Sequence, residues 1–196
     1  MWNAGAQRKS HSIGRHPAVN IHHARRFAED VGHAFNVHVS LNLSMCGFSP
    51  ELASRVWQRL ISQRFSPWLR RTALQDGELS PTYVWTLEAP HGGVGVHWLV
   101  HLPDRLVPLL KPKLVGWIKG LGGTLPPGAL AIGEIHNVIG MTRYVLKGIE
   151  PVWSAHLAVR PVSQGMIIGK RSGFSRSLGP TSRKRSGYRP RRVYTY

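Results

Sequence analysis

The sequence predicts an α+β domain: an antiparallel sheet of four to five strands with helices packed on one face, and basic flexible extensions at the N- and C-terminal ends. Three observations predict it. Alternating apolar stretches are interleaved with helical spacings in the order strand, helix, strand, strand, helix, strand, helix. The apolar content is 42%, with 7 Trp, which is enough to build a core. The two ends are rich in Arg, Lys, Gly and Ser and poor in aliphatic residues.

Residues 1–33 show no sustained apolar periodicity, so a mobile basic arm is expected there, holding a short helix around Ala24 to Val31. The folded domain is expected over residues 34–162. From Phe35 to Leu43 the pattern alternates, with Val37, Val39, Leu41 and Leu43 on one face and His38, Ser40 and Asn42 on the other, the mark of a half-buried strand. Ser49-Pro50-Glu51 then reads as a cap, a first helical residue and an acid suited to the helix dipole. A helix of roughly 15 residues follows, from about Pro50 to Arg64.

Thr82 to Glu88 and Val94 to Leu102 read as a hairpin joined by Ala89-Pro90-His91-Gly92-Gly93. On its second strand Val94, Val96, Trp98, Val100 and Leu102 face one way, and Gly95, His97, Leu99 and His101 the other. Pro108 and Pro112 predict a helical turn followed by a helix that starts near Pro112. A strand from Ala129 to Asn137 precedes a short helix containing Met141 to Lys147. Residues 163–196 are expected to be a basic Ser/Gly/Pro-rich tail, largely disordered without a ligand.

Charge limits the partners. Against 26 Lys and Arg stand 9 Asp and Glu, a formal +17 before the 11 His are counted. So much charge of one sign repels itself unless a polyanion neutralises it, with nucleic acid the first candidate and an anionic membrane surface the second. The single cysteine, Cys46, excludes an intramolecular disulfide framework and a thiolate zinc finger, and it fits a reducing cytoplasm. No apolar run approaches the roughly 18 to 20 residues of a bilayer span, so no membrane partner is expected.

Three groups of residues carry candidate chemistry. Glu88 ends one hairpin strand and His97 lies on the other, so a carboxylate oxygen and an imidazole could meet at one metal, with His91 in the turn as a more flexible third ligand. His101 shares the face of His97 but lies roughly 13 Å along the strand, too far to share an ion. His38 or His136 could also arrive from neighbouring strands. The bland alternative is a set of solvent-facing imidazoles.

Tyr144 and Lys147 are spaced i, i+3, so on a helix both project from one face. That geometry suits a phenol attacking a phosphodiester while an ammonium stabilises its charge; it also suits a packed Tyr beside a Lys reaching to solvent. In the tail, Lys170, Arg171, Arg176, Arg183, Lys184, Arg185, Arg189, Arg191 and Arg192 alternate with Phe174, Tyr188, Tyr194 and Tyr196. Phosphate neutralisation is thereby combined with planar groups able to stack on bases.

Taken in order, Phe35-Asn36-Val37-His38-Val39-Ser40-Leu41-Asn42-Leu43, the strand Gly93 to Pro103 and Tyr144-Val145-Leu146-Lys147 resemble the replication-initiator (Rep) branch of the HUH endonucleases. These enzymes nick one DNA strand to start rolling-circle replication of plasmids and single-stranded phages. The resemblance covers roughly residues 35 to 150. Gln164 to Arg171, with Ser177-Leu178-Gly179-Pro180, also looks like the downstream tail of such proteins. Gly95 stands where the metal motif has its first His, so only His97 of that pair carries over, while Glu88 fits the place of a ligand on the adjacent strand.

The resemblance implies a metal-dependent single-strand endonuclease and strand transferase. Mg²⁺ or Mn²⁺ would be held by Glu88 and His97, completed by water, by His91 or by another side chain, Tyr144 would form a 5′-phosphotyrosine, and Lys147 would orient the phosphate or stabilise the leaving charge. Single-stranded DNA or a replication origin would be the partner, with host replication proteins beside it. Two alternatives remain open: a catalytically inactive nucleic-acid-binding protein on the same scaffold, and an RNA-binding component of a ribonucleoprotein.

Overall fold

The computed structural model describes residues 8–73 and 80–189. Its centre is a five-stranded antiparallel sheet built from β2 (Val37–Asn42), β3 (Tyr83–Glu88), β4 (Gly95–Val100), β5 (Leu130–Glu134) and β7 (Ser172–Phe174), in the spatial order β5-β2-β4-β3-β7. The α+β class expected from the sequence is the class observed. A second, two-stranded sheet pairs β1 (Lys9–Ser10) with β6 (Ile167–Ile168), which ties the two ends of the described chain together. Among the described residues no helix is long and apolar enough to cross a membrane.

One face of the large sheet packs on α2 (Pro50–Arg59), α3 (Ser66–Ala73) and α4 (Val107–Gly120). Alternation along the strands sends Val37, Val39 and Leu41, Trp85 and Leu87, and Val96, Trp98 and Val100 into this core. Trp98 is fully buried at its centre, edge-on to Trp57 at 5.5 Å and to Phe65 at 4.5 Å between ring centres. Such crossed aromatic pairs add to the burial of the rings themselves.

Helices were expected on one face, yet both faces are covered. Helices α1 (Arg15–Asp30) and α5 (Val138–Val145) lie on the second, burying Val84 and Leu99 from the strands that alternate away from the first core. Much of the expected mobile arm is therefore a 16-residue helix. Its buried stripe is Ala18, Ile21, Ala24, Phe27 and Ala28, and small alanines between His and Arg give a faint periodic signal although the spacing is helical.

The expected tail is likewise built into the fold as far as residue 189. Strand β7 pairs with β3 as the sheet's edge, Leu178 is buried, and Tyr188 meets Phe27 edge-on at 5.4 Å after a short helix, Pro180–Arg185. Strands of two or three residues are too short for alternation to reveal, so their pairing is decided by tertiary contact. Arg191, Arg192, Tyr194 and Tyr196 lie outside the described residues.

Two helix boundaries also differ from expectation. The helix from Pro50 does not stop at Arg64: a π-helical stretch, Leu60–Phe65, widens the turn and leads into α3, which keeps Leu60, Ile61, Phe65 and Leu69 buried. Helix α4 starts at Val107 and runs through Pro112. The buried stripe Leu110, Leu114, Ile118 holds it against the sheet, and the proline costs one backbone donor close to the helix start.

Candidate active site

The second face of the sheet is apolar at one end and polar at the other. Beyond Val84 and Leu99 the same alternation presents Thr86 and Glu88 on β3 and Gly95 and His97 on β4, with Thr86 directly opposite His97 and Glu88 directly opposite Gly95. Helix α5 crosses this end. Its start is fixed by Asn137, whose side chain accepts from the Gly140 N–H at 2.8 Å. Its last turn carries Tyr144, and Lys147 follows in the turn after it, where the Lys147 carbonyl accepts from the Val162 N–H at 2.7 Å.

Four residues singled out from the sequence meet here. The Lys147 Nζ lies 2.8 Å from Glu88 Oε2 and 4.2 Å from the centre of the Tyr144 ring. On the other carboxylate oxygen, His97 Nε2 approaches Glu88 Oε1 to 2.9 Å, close enough to share charge but without the alignment of a good hydrogen bond. The Tyr144 and His97 rings are edge-on at 5.0 Å. Tyr144 is 44% exposed while His97 is 5% exposed, so the phenol stands at the mouth of the cluster and the imidazole at its floor.

A fifth residue, His38 on β2, completes the group. Its Nε2 lies 3.1 Å from His97 Nδ1, with the two rings stacked at 5.3 Å. Burial, then the neighbouring His97 and Lys147, lower its pKa to about 4, so His38 is a neutral imidazole near pH 7. The polar face of β2 was legible from alternation, but the pairing of His38 with His97 needed β2 and β4 to be sheet neighbours.

Charge in the cluster is balanced internally. Burial works against ionisation of Glu88, but the contacts from His97 and Lys147 prevail and hold its pKa at about 2. Burial likewise opposes the charge on Lys147, and Glu88 and Tyr144 overcome it and raise the ammonium pKa. Near pH 7 the pair is an ionised carboxylate and an ammonium, with the ammonium beside the phenol.

The expected divalent ion does not fit this donor set as it stands. His91 is exposed in the turn, and among the described residues no group of three or more His, Cys, Asp or Glu side chains is placed to hold a metal. One Glu88 oxygen faces the Lys147 ammonium and the other the His97 imidazole, His97 spends Nδ1 on His38, and Gly95 brings no donor. The other histidines stand apart: His101 contacts the Ala34 carbonyl at 2.8 Å and stacks on His33, and His136 is an exposed neighbour of Glu134.

The basic residues of the C-terminal segment divide in two. Lys170, Arg176, Lys184, Arg185 and Arg189 are exposed. Arg171 and Arg183 are buried and belong to the architecture. Arg183 Nη2 donates to Asn20 Oδ1 on α1 at 2.5 Å. Arg171 donates to the Ser10 hydroxyl at 3.1 Å, to the Ser10 carbonyl at 2.7 Å and to the Gly165 carbonyl. Burial lowers the Arg171 pKa to about 10, with Glu88 opposing, and the group keeps its charge.

No family model, no curated protein and no solved structure matches this chain.

Proposed function

We propose that the protein cleaves and rejoins single-stranded DNA by transesterification at Tyr144, as a replication initiator of the Rep kind would. The observation that carries this reading is the ammonium of Lys147 held between the Glu88 carboxylate and the exposed Tyr144 phenol. In the step proposed, Tyr144 Oη bonds to phosphorus as the bond from phosphorus to O3′ breaks. The phenol gives up its proton and the leaving O3′ gains one. The product is a 5′-phosphotyrosine and a free 3′-hydroxyl, and the reverse step rejoins the strand.

Lys147 supplies positive charge where the phosphate becomes more negative, and Glu88 fixes that ammonium in place instead of leaving it to solvent. His97 holds Glu88 from the other side and His38 holds His97, so the polar floor is braced across three strands. The formal +17 provides the attraction that brings a polyanion to this face.

The test is incubation of the full chain with a labelled single-stranded oligonucleotide library, with and without Mn²⁺, followed by denaturing electrophoresis. A covalent protein–DNA band is expected from the native chain and none from Tyr144→Phe, while strand binding survives in both. Tight binding with no adduct on any strand would overturn the reading in favour of a non-cutting nucleic-acid-binding protein on the same scaffold. Gly95, which leaves Glu88 without a second imidazole opposite it, is the observation that favours this second reading.

A further inference from the structure

The second face of the sheet is closed on one side of the Tyr144 cluster and open on the other. Helix α1 lies over β3 and β7, and α5 over β4. Beneath them Val84, Thr86 and Leu99 are buried. Strands β2 and β5 lie beyond the helices, where Ala131 and Gly133 are exposed and Ser40 is half-buried. A Cβ on Gly133 would meet nothing within 4 Å, and one on Gly95 only Glu88 Cγ and the Leu41 carbonyl oxygen, each at 3.9 Å. The exposed phenol of Tyr144 is therefore approached over β5 and β2.

The register across these strands fixes what lines the approach. Ala131 stands opposite Ser40 and Ser40 opposite His97, while Gly133 stands opposite His38. Opposed residues of paired strands have Cβ atoms about 5 Å apart, so Ser40 borders the imidazole that the Tyr144 ring meets edge-on. The same ring is edge-on to His38 at 6.2 Å, and His38 precedes Ser40 on this face of β2. Ser40 thus lies between the floor beneath the phenol and the outer strand β5.

Chemistry sets Ser40 apart from its neighbours. His97 spends Nδ1 on His38 and turns Nε2 towards Glu88, so neither nitrogen serves the Ser40 hydroxyl. Among the described residues that hydroxyl has no hydrogen-bond partner, and it is not sealed from solvent. Asn42, next on the same face, is committed to the turn beyond β2, where its Oδ1 accepts from the Met45 N–H at 2.9 Å. No carboxylate lies on this part of the face: Glu134 ends β5 opposite Val37 and alternates to the other side of the sheet. A polyanion crossing here meets no like charge.

We propose that the single strand reaches Tyr144 across β5 and β2, over Ala131, and that the Ser40 hydroxyl donates to a non-bridging oxygen of the scissile phosphate. The role of Ser40 rests on the strand-cleavage reading. Glu88, which holds the Lys147 ammonium, stands on the opposite side of β4 from Ser40. The phosphate is then gripped from two sides, which fixes its orientation to the phenol as one contact cannot.

The full native chain is compared with Ser40→Ala, Ser40→Thr and Ala131→Leu, the last at an exposed position where added bulk needs no room inside the fold. Two quantities are read with the labelled single-stranded oligonucleotide library: affinity, by fluorescence anisotropy, and the rate of covalent adduct formation. Melting temperatures are followed in parallel and are expected to stay unchanged. Ser40→Ala should slow adduct formation about 100-fold while affinity stays within about twofold, the signature of a donor used on the reacting phosphate. Ser40→Thr keeps the hydroxyl on a side chain suited to a strand, and should recover at least about a tenth of the native rate. Ala131→Leu should weaken binding about tenfold or more by standing in the strand's path.

An adduct rate in Ser40→Ala equal to the native rate, or a loss that Ser40→Thr does not repair, would overturn the role of the hydroxyl. Binding by Ala131→Leu as tight as by the native chain would overturn the path across β5. If the native chain binds strands but forms no adduct with any of them, the cutting reading fails and the role of Ser40 with it. The affinity of Ala131→Leu still decides the path in that case.

Discussion

Lys147 Nζ lies 2.8 Å from Glu88 Oε2, an ion pair with both side chains about four-fifths buried. It joins the residue after the last turn of α5 to the end of β3, so helix and sheet are pinned together at the place where the phenol is presented. Breaking such a pair from one side leaves a carboxylate that has lost water without keeping its partner.

Lys147→Met is expected to destabilise the chain by about 1–3 kcal/mol, read from urea unfolding. Adduct formation should fall by roughly 100-fold or more, as expected when charge stabilisation is removed from a reacting phosphate. The same variant should bind Mn²⁺ more tightly than the native chain, measured by loss of the free-ion resonance signal, because the ammonium and the metal compete for Glu88. Equal Mn²⁺ affinity in the two proteins would show that Lys147 does not guard the carboxylate.

Gly95→His should be tolerated and should create metal affinity. A Cβ at Gly95 would meet only Glu88 Cγ and the Leu41 carbonyl oxygen, each at 3.9 Å, which is ordinary contact. The new imidazole would stand on the face of His97 and opposite Glu88, giving three donors from two paired strands. Mn²⁺ binding is expected to tighten about tenfold or more, with stability changed by less than about 1 kcal/mol. No gain in binding would show that the donors point past a common centre.

Acid should weaken the fold in two stages. His38 and His22 each have a folded pKa of about 4 against 6.5 as model groups, burial being the larger cause in both. As pH falls below about 6.5 the unfolded chain takes up these protons first, so stability is fully present above 6.5 and declines until the folded groups protonate near 4. Glu88, held at about 2 against 4.5, continues the loss below pH 4.5. His38→Asn should remove about 1 kcal/mol of the change between pH 6.5 and 4, allowing for partial exposure, measured by urea midpoints across that range.

Gly165→Ala should cost about 2–4 kcal/mol. Gly165 has φ +65°, and a Cβ there would fall on the Ala89 carbonyl oxygen, which is backbone and cannot move aside. Its own carbonyl accepts from Arg171, so the displacement should also loosen β6 and β7. Lower thermal stability together with faster amide exchange in residues 167–174 is the expected signature; unchanged exchange there would separate the two effects.

The central hairpin was legible because alternation along its second strand states which side chains share a face, and the Pro- and Gly-rich link from Ala89 to Gly93 marks the reversal between the two strands. Glu88 and His97 followed from that; helical spacing paired Tyr144 with Lys147, although α5 ends at Val145 and Lys147 reaches the site from the turn beyond it. Alternation put His38 on the polar face of its strand, but its pairing with His97 depends on β2 lying beside β4, a long-range choice. Of α1 only the later part was legible, as the short helix expected around Ala24 to Val31, because alanine gives little hydropathy contrast although it packs closely. Arg171 looked like one tail cation among many. Its burial follows from Ser10 and Gly165 arriving on either side, and neither is near it in an extended chain.

The edge strand β7 has a consequence for synthesis. Residues 172–174 are the last to join the sheet, and until they emerge from the ribosome the outer side of β3 is a row of unpaired backbone donors and acceptors. A chain halted before that point would carry Tyr144, Lys147, Glu88 and His97 yet expose an open template to its neighbours. Pairing with the few residues of β7 closes that template, so the short strand protects the whole sheet from its neighbours out of proportion to its length.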